Sequence, residues 1–101
     1  MPNSYNLSKE AEDDLLEAYV WYEQRRAGLG EELLESLDKA RQAIIQNPEI
    51  YRIRYKKRVR AFVVDRFPYL ILYVLEKKDA NVISVFNTSR NPKTWKARIK
   101  N

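Results

Sequence analysis

The feature that most constrains this chain is a change of hydrophobic period at Asn47-Pro48. Before it, apolar residues recur at the three- and four-residue spacings of an α-helix; after it they alternate, as on a β-strand. Such a chain is expected to lay helices on a sheet, an α+β arrangement, so that each buries the apolar face of the other. At 101 residues the sequence is sized for one core, and residues 1–101 are expected to form a single domain.

Upstream of the change, Tyr5-Asn6-Leu7 reads as a short extended piece and Ser8 as a helix N-cap. Ala11, Leu15, Ala18 and Tyr22 share one face of the helix that follows, and its early turns are acidic, which suits the helix dipole. Gly28 and Gly30 are the only glycines, and either suits a left-handed turn that ends a helix. Leu33, Leu37, Ala40 and Ile44 mark a second helix, which Asn47-Pro48 ends. So short a link predicts an antiparallel hairpin. Downstream, Tyr51 to Tyr55, Val59 to Val64, Tyr69 to Leu75 and Val82 to Phe86 read as strands of a meander. The expected whole is a short N-terminal strand, a two-helix hairpin on one face of a curved antiparallel sheet, and a short C-terminal tail.

Charge is divided along the same boundary. Ser8 to Asn47 holds ten acidic and five basic residues, a net of −5, whereas Pro48 to Asn101 holds four acidic and fourteen basic, a net of +10. The second half is therefore expected to present a cationic sheet face, partly open to a nucleic acid or an acidic protein. The absence of Cys and His excludes disulfides, thiolate or imidazole metal sites and any imidazole-based triad. No metal or cofactor is expected. The longest apolar run, Tyr69 to Leu75, is far short of the roughly 18–20 residues of a membrane span, and Met1-Pro2-Asn3-Ser4 lacks a basic leader. A cytoplasmic location and no membrane contact are expected.

Several side chains have two readings each. Arg90 suits a phosphate or a partner carboxylate, or is a solvated strand-end residue. Arg60 has the same readings and a third, an interior ion pair with a helix carboxylate. Arg52, Arg54, Lys56, Lys57, Arg58 and Arg60, interleaved with Tyr51 and Tyr55, resemble a nucleic-acid surface but would equally keep an edge strand from pairing with another chain. Tyr19, Trp21, Tyr22 and Tyr73 read as core or helix-contact aromatics. Trp95 either pins the tail to the sheet or is exposed for a partner, and Asp13-Asp14 with Glu17 reads as a solvated acidic face rather than a cation site.

The order and spacing of Leu7 to Leu15, Trp21-Tyr22-Glu23, Gly28-Leu29-Gly30, Asn47-Pro48, Arg60, Phe67-Pro68-Tyr69, Tyr73, Val85 to Pro92 and Trp95 resemble the RelE/ParE superfamily of bacterial type II toxins, also labelled plasmid stabilisation proteins. The resemblance covers nearly the whole chain. It implies a growth-inhibiting toxin that forms a hetero-oligomer with a cognate antitoxin, whose acidic, amphipathic C-terminal segment would cover it. Arg60, Tyr69, Tyr73, Arg90 and Trp95 are the partner-binding residues it suggests.

Relatives of ParE poison DNA gyrase by binding, while relatives of RelE cleave messenger RNA on the ribosome. In the cleaving branch Arg90, Arg54, Lys56, Lys57 and Arg58 would be the catalytic set. Leu70 stands where that branch has an arginine, however, and beyond Arg90 the only aromatic is Trp95, which cannot exchange a proton as a phenol does. Asn87 also replaces a frequent histidine. Phe67-Pro68-Tyr69 and Arg90-Asn91-Pro92 look more like the ParE side, so the leading expectation is a gyrase-binding toxin. The alternatives are a ribosome-dependent endoribonuclease and a basic nucleic-acid-binding module.

Overall fold

The computed structural model describes residues 4–99. Its elements are β1 (Tyr5–Leu7), α1 (Lys9–Arg25), α2 (Leu29–Gln46), β2 (Ile53–Tyr55), β3 (Val59–Val63), β4 (Tyr69–Glu76), β5 (Asp79–Asn87) and a short α3 (Lys93–Lys96). The five strands form one sheet in the order β1-β5-β4-β3-β2. This sheet is mixed rather than wholly antiparallel, because β1 runs parallel to β5, Tyr5 beside Ala80 and Leu7 beside Val82. No described helix is long and apolar enough to cross a membrane.

Ser8 joins strand to helix by serving both. Its backbone N–H donates to Val82 O at 2.9 Å, extending the ladder, while its hydroxyl accepts from Ala11 N at 3.1 Å as the cap of α1. The turn between the helices rests on Glu23, whose carboxylate accepts from Gly28 N (3.1 Å) and Gly30 N (2.8 Å) and so satisfies two donors at the start of α2. The two glycines are required for different reasons. Gly28 has φ +90°, whereas a Cβ on Gly30 would lie 2.9 Å from the Tyr19 ring and from Glu23 Oε1.

The central strand β4 is apolar on both faces. Toward the helices, Tyr69, Ile71 and Tyr73 pack with Ala11 and Ala18 of α1 and Leu33, Leu37, Ala40 and Ile44 of α2. On the far side, Leu72 and Val74 form a second cluster with Val59, Ala61 and Phe86, which Trp95 covers. This corrects the expected cationic face. The far side is a small apolar core, and the cations gather on its margin instead, because an interior strand with two apolar faces needs a cover on each.

A bulge in β5 shapes the margin beside α1. Tyr73 pairs with Val82 but Leu72 pairs with Ser84, leaving Ile83 as the extra residue. Past β1, among the described residues, the outer edge of β5 has no neighbouring strand, and one ion pair supplies partners there. Asp14 of α1 accepts from Val85 N (3.1 Å), from the Ser84 hydroxyl (3.2 Å), and from both terminal nitrogens of Arg98 (2.6 and 3.0 Å), while Arg98 also donates to Ile83 O at 2.9 Å. Asp14, by its sequence part of a solvated acidic face, is in the fold the anchor of the tail. The hydrogen bonds that Arg98 donates to Asp14 hold its guanidinium above its usual pKa, against the desolvation that lowers it.

Three outcomes follow. Gly30→Ala is expected to cost about 1–3 kcal/mol in urea unfolding, as overpacking does. Asp14→Asn should cost a similar ~1–3 kcal/mol and shift Trp95 emission to the red as the tail loosens, while Glu17→Gln, on an exposed pair, changes stability by under about 0.5 kcal/mol. The third concerns alkali. Burial pushes the Tyr73 phenol from its ordinary 10.0 up to about 12 and raises Tyr5 in the same direction. A phenol whose folded pKa exceeds its unfolded one contributes stability that is whole below pH 10 and is lost as pH rises through 12. Urea midpoints measured from pH 8 to 12 should fall across that window, and less steeply in Tyr73→Phe.

Candidate functional site

A groove of about 330 Å³ runs between α1 and the end of β5, and it brings together two of the five suggested partner-binding residues, Tyr69 and Arg90. Asp14, Glu17 and Trp21 form its α1 wall, and Asn87, Thr94 and Arg98 contribute to the other. Asn87 builds the bend that carries Arg90. Its side-chain oxygen accepts from the Ser89 backbone N–H (2.9 Å) and hydroxyl (2.8 Å), and its carbonyl accepts from Arg90 N at 3.0 Å. Asn91 repeats the device, accepting from Lys93 N at 2.9 Å and starting the turn that becomes α3.

Arg90 reaches across the groove and donates to Glu17 Oε1 at 3.0 Å. With the two side chains 60% and 68% exposed, this pair is weak, and a partner's carboxylate would replace Glu17 at little cost. Tyr69 forms the floor. Burial raises its phenol above the ordinary value, more than its hydrogen bond with Asn87 lowers it, so it stays protonated at neutral pH.

The other sequence-derived residues lie elsewhere. Arg60 and Tyr73 are cross-strand partners, and both hold the loop after α2. The Arg60 guanidinium donates to Glu49 O and Tyr51 O, each at 2.8 Å, and the Tyr73 hydroxyl donates to Pro48 O at 2.7 Å. The acceptors of Arg60 are thus carbonyls, not the helix carboxylate that one reading expected. Tyr73 is fully buried, and Trp95 is buried edge-on against Tyr55 (5.4 Å between centroids) and Phe86 (6.5 Å). In this conformation a partner meets neither ring. Arg54, Lys56, Lys57 and Arg58 are exposed at the β2–β3 turn, and none of them lines the groove.

Trp21, expected as a core or helix-contact aromatic, is not in the core. It is half exposed, with the Arg25 guanidinium 4.1 Å above its ring, and it continues an outward apolar strip made by Leu16 and Val20. The sequence carried the signal: Leu16 and Val20 are four residues apart and off the Ala11–Ala18 stripe. The inner face of α1 buries those two alanines fully and Leu15 and Tyr22 in part, and it leaves Leu16, Val20 and Trp21 outside. The groove and the strip meet at Glu17 and Trp21. Together they form a surface suited to gripping an amphipathic segment, with apolar area on one side and a readily exchanged arginine on the other.

Among the described residues no cluster of His, Cys, Asp and Glu side chains could hold a metal ion. No curated protein matches the chain. A solved structure described as the chromosomal ParDE TA system from P. aeruginosa is similar in fold, with a TM-score of 0.73 and 15% identity over 84% of this chain and 95% of that one. The family described as the ParE toxin of the type II toxin-antitoxin system, parDE, matches residues 5–92. With that match spanning both helices and all five strands, the chain belongs to the ParE toxin family.

Proposed function

We propose that this protein is the toxin of a type II pair, that a cognate antitoxin neutralises it, and that it arrests growth by binding DNA gyrase rather than by cutting RNA. Family membership and the fold shared with a ParDE structure support the toxin and its antitoxin. The observation that carries binding over cleavage is the composition of the groove around Arg90. Cleavage would need the arginine, several cations and a proton acceptor to converge on one phosphate. In the groove Arg90 is joined by none of the hairpin cations, the Asp14 carboxylate is engaged by Arg98, and the phenol of Tyr69 keeps its proton. Leu70 supports the same reading, for it packs into the apolar cluster on the far face.

The antitoxin's place is the strip of Leu16, Val20 and Trp21 together with Arg90. An amphipathic segment laid there would bury exposed apolar area, and its carboxylate would take Arg90 from Glu17. Neutralisation and target binding then compete for one arginine.

The test is functional. Purified protein is expected to inhibit supercoiling by gyrase while ribosome-bound message stays intact, with inhibition about tenfold weaker in Arg90→Ala. Co-expression of the small protein from the adjacent reading frame should restore growth. Message cleavage that is lost in Arg90→Ala would overturn the reading in favour of the nuclease.

A further inference from the structure

Two groups of cations in the second half stand in opposite situations. Arg66, Arg90 and Arg98 each meet a helix carboxylate, on Glu32, Glu17 and Asp14. Arg52, Arg54, Lys56, Lys57 and Arg58 occupy five of seven consecutive positions, all exposed, and among the described residues none of them has an ion-pair partner. Like charges so crowded repel one another unless an anion lies across them.

The backbone of this hairpin is also held against preference. Arg58 N donates to Tyr55 O at 3.1 Å, closing a two-residue turn whose central residues Lys56 and Lys57 both have positive φ, +50° and +59°. Turns with two positive φ values favour Asn-Gly, and a left-handed lysine costs stability. A second hairpin provides a control within the same molecule. The β4–β5 turn also carries two lysines, Lys77 and Lys78, with Lys77 at φ +59°, but Glu76 and Asp79 flank it. The β2–β3 turn is flanked by Tyr55 and Arg58 instead, with Arg54 one residue before, so no carboxylate adjoins its lysines.

The tail adds a further cation. Lys96 Nζ lies 5.2 Å from the centre of the Tyr55 ring, with Lys56 Nζ at 5.5 Å and the Trp95 ring edge-on. Tyr55 is thereby occupied and is not a free platform for a base. Strand addition by an acidic peptide is disfavoured too, since edge strand β2 has three residues and an irregular register between Ile53 and Tyr55.

From these observations we infer that the β2–β3 hairpin, with Lys96, binds the phosphodiester backbone of a nucleic acid without reading its sequence. The inference is independent of the gyrase reading, since it concerns a direct contact at a different surface. Strained lysines placed at the tip of a ribbon reach phosphates that a flat patch would not.

The experiment uses the full chain with a random-sequence DNA duplex and, in a parallel arm, a single-stranded RNA, measuring affinity by fluorescence anisotropy from 50 to 200 mM salt. Lys56→Asn/Lys57→Gly is compared with Lys77→Asn/Lys78→Gly, which removes the same charge from the other turn. The hairpin variant is expected to melt at a higher temperature, since the turn is relieved, yet bind about tenfold or more weakly at 100 mM salt. Its log–log salt slope should be shallower by about 2, and the control variant should bind as the parent does. Tighter binding in one arm names the source of the phosphates. Equal weakening in both variants would show an effect of net charge alone and overturn the inference. So would failure to bind either nucleic acid, or tighter capture by polyglutamate than by either.

Discussion

Everything in this fold answers to β4, a strand that cannot face water on either side. Tyr69, Ile71 and Tyr73 need the helices, and Leu72 and Val74 need something else. At roughly 25 cal/mol per Å² of apolar surface, leaving the second set bare would forfeit several kcal/mol, comparable with the whole stability of many small domains. A tail of about a dozen residues supplies the cover. It does so with one large ring, Trp95, and one doubly bonded guanidinium, Arg98, so that a segment with little regular structure is fixed at two points.

The electrostatics follow from the same geometry. Three arginines of the cationic half pair with carboxylates of the acidic helices, and the pairs differ in strength with their exposure. The Arg98–Asp14 pair is sheltered and closes a strand edge, whereas Arg90–Glu17 stands in water and is easily exchanged. The Glu32 carboxylate, shared by Arg66 and Arg26, is held below the usual range, chiefly by the hydrogen bond from Arg66. On the hairpin farthest from β1 in the sheet order, five cations collect with no ion-pair partner among the described residues.

Most of the architecture was legible in the residues. Period and punctuation located both helices, the cap at Ser8, the break at Asn47-Pro48 and the strands, because each rests on local chemistry. What escaped was set by distant partners. The parallel pairing of β1 with β5 joins residues some 75 positions apart, and nothing near Tyr5 announces it. The carbonyls that accept from Arg60 are visible only once the loop after α2 is folded back. Asp14 and Arg98 lie at opposite ends of the chain, so an ordinary surface aspartate concealed an anchor. Trp21 lies outside the core because apolar character does not by itself bring burial, and α1 has more apolar side chains than its inner stripe covers.

The extra residue in β5 sets the phase of everything after it. Before Ile83 the even-numbered side chains, Ala80 and Val82, point to the helices; beyond Ser84 the odd-numbered Val85 does so, and Asn87 stands opposite helix-facing Tyr69. Without that half-period slip, Phe86 would turn inward and the bend bearing Arg90 would leave from the opposite face, away from Glu17 and Trp21. A single-residue insertion thus decides on which side of the protein its most exchangeable arginine stands. In comparing related chains, a gap of one at this point would relocate the binding surface while leaving the rest of the sheet's order untouched.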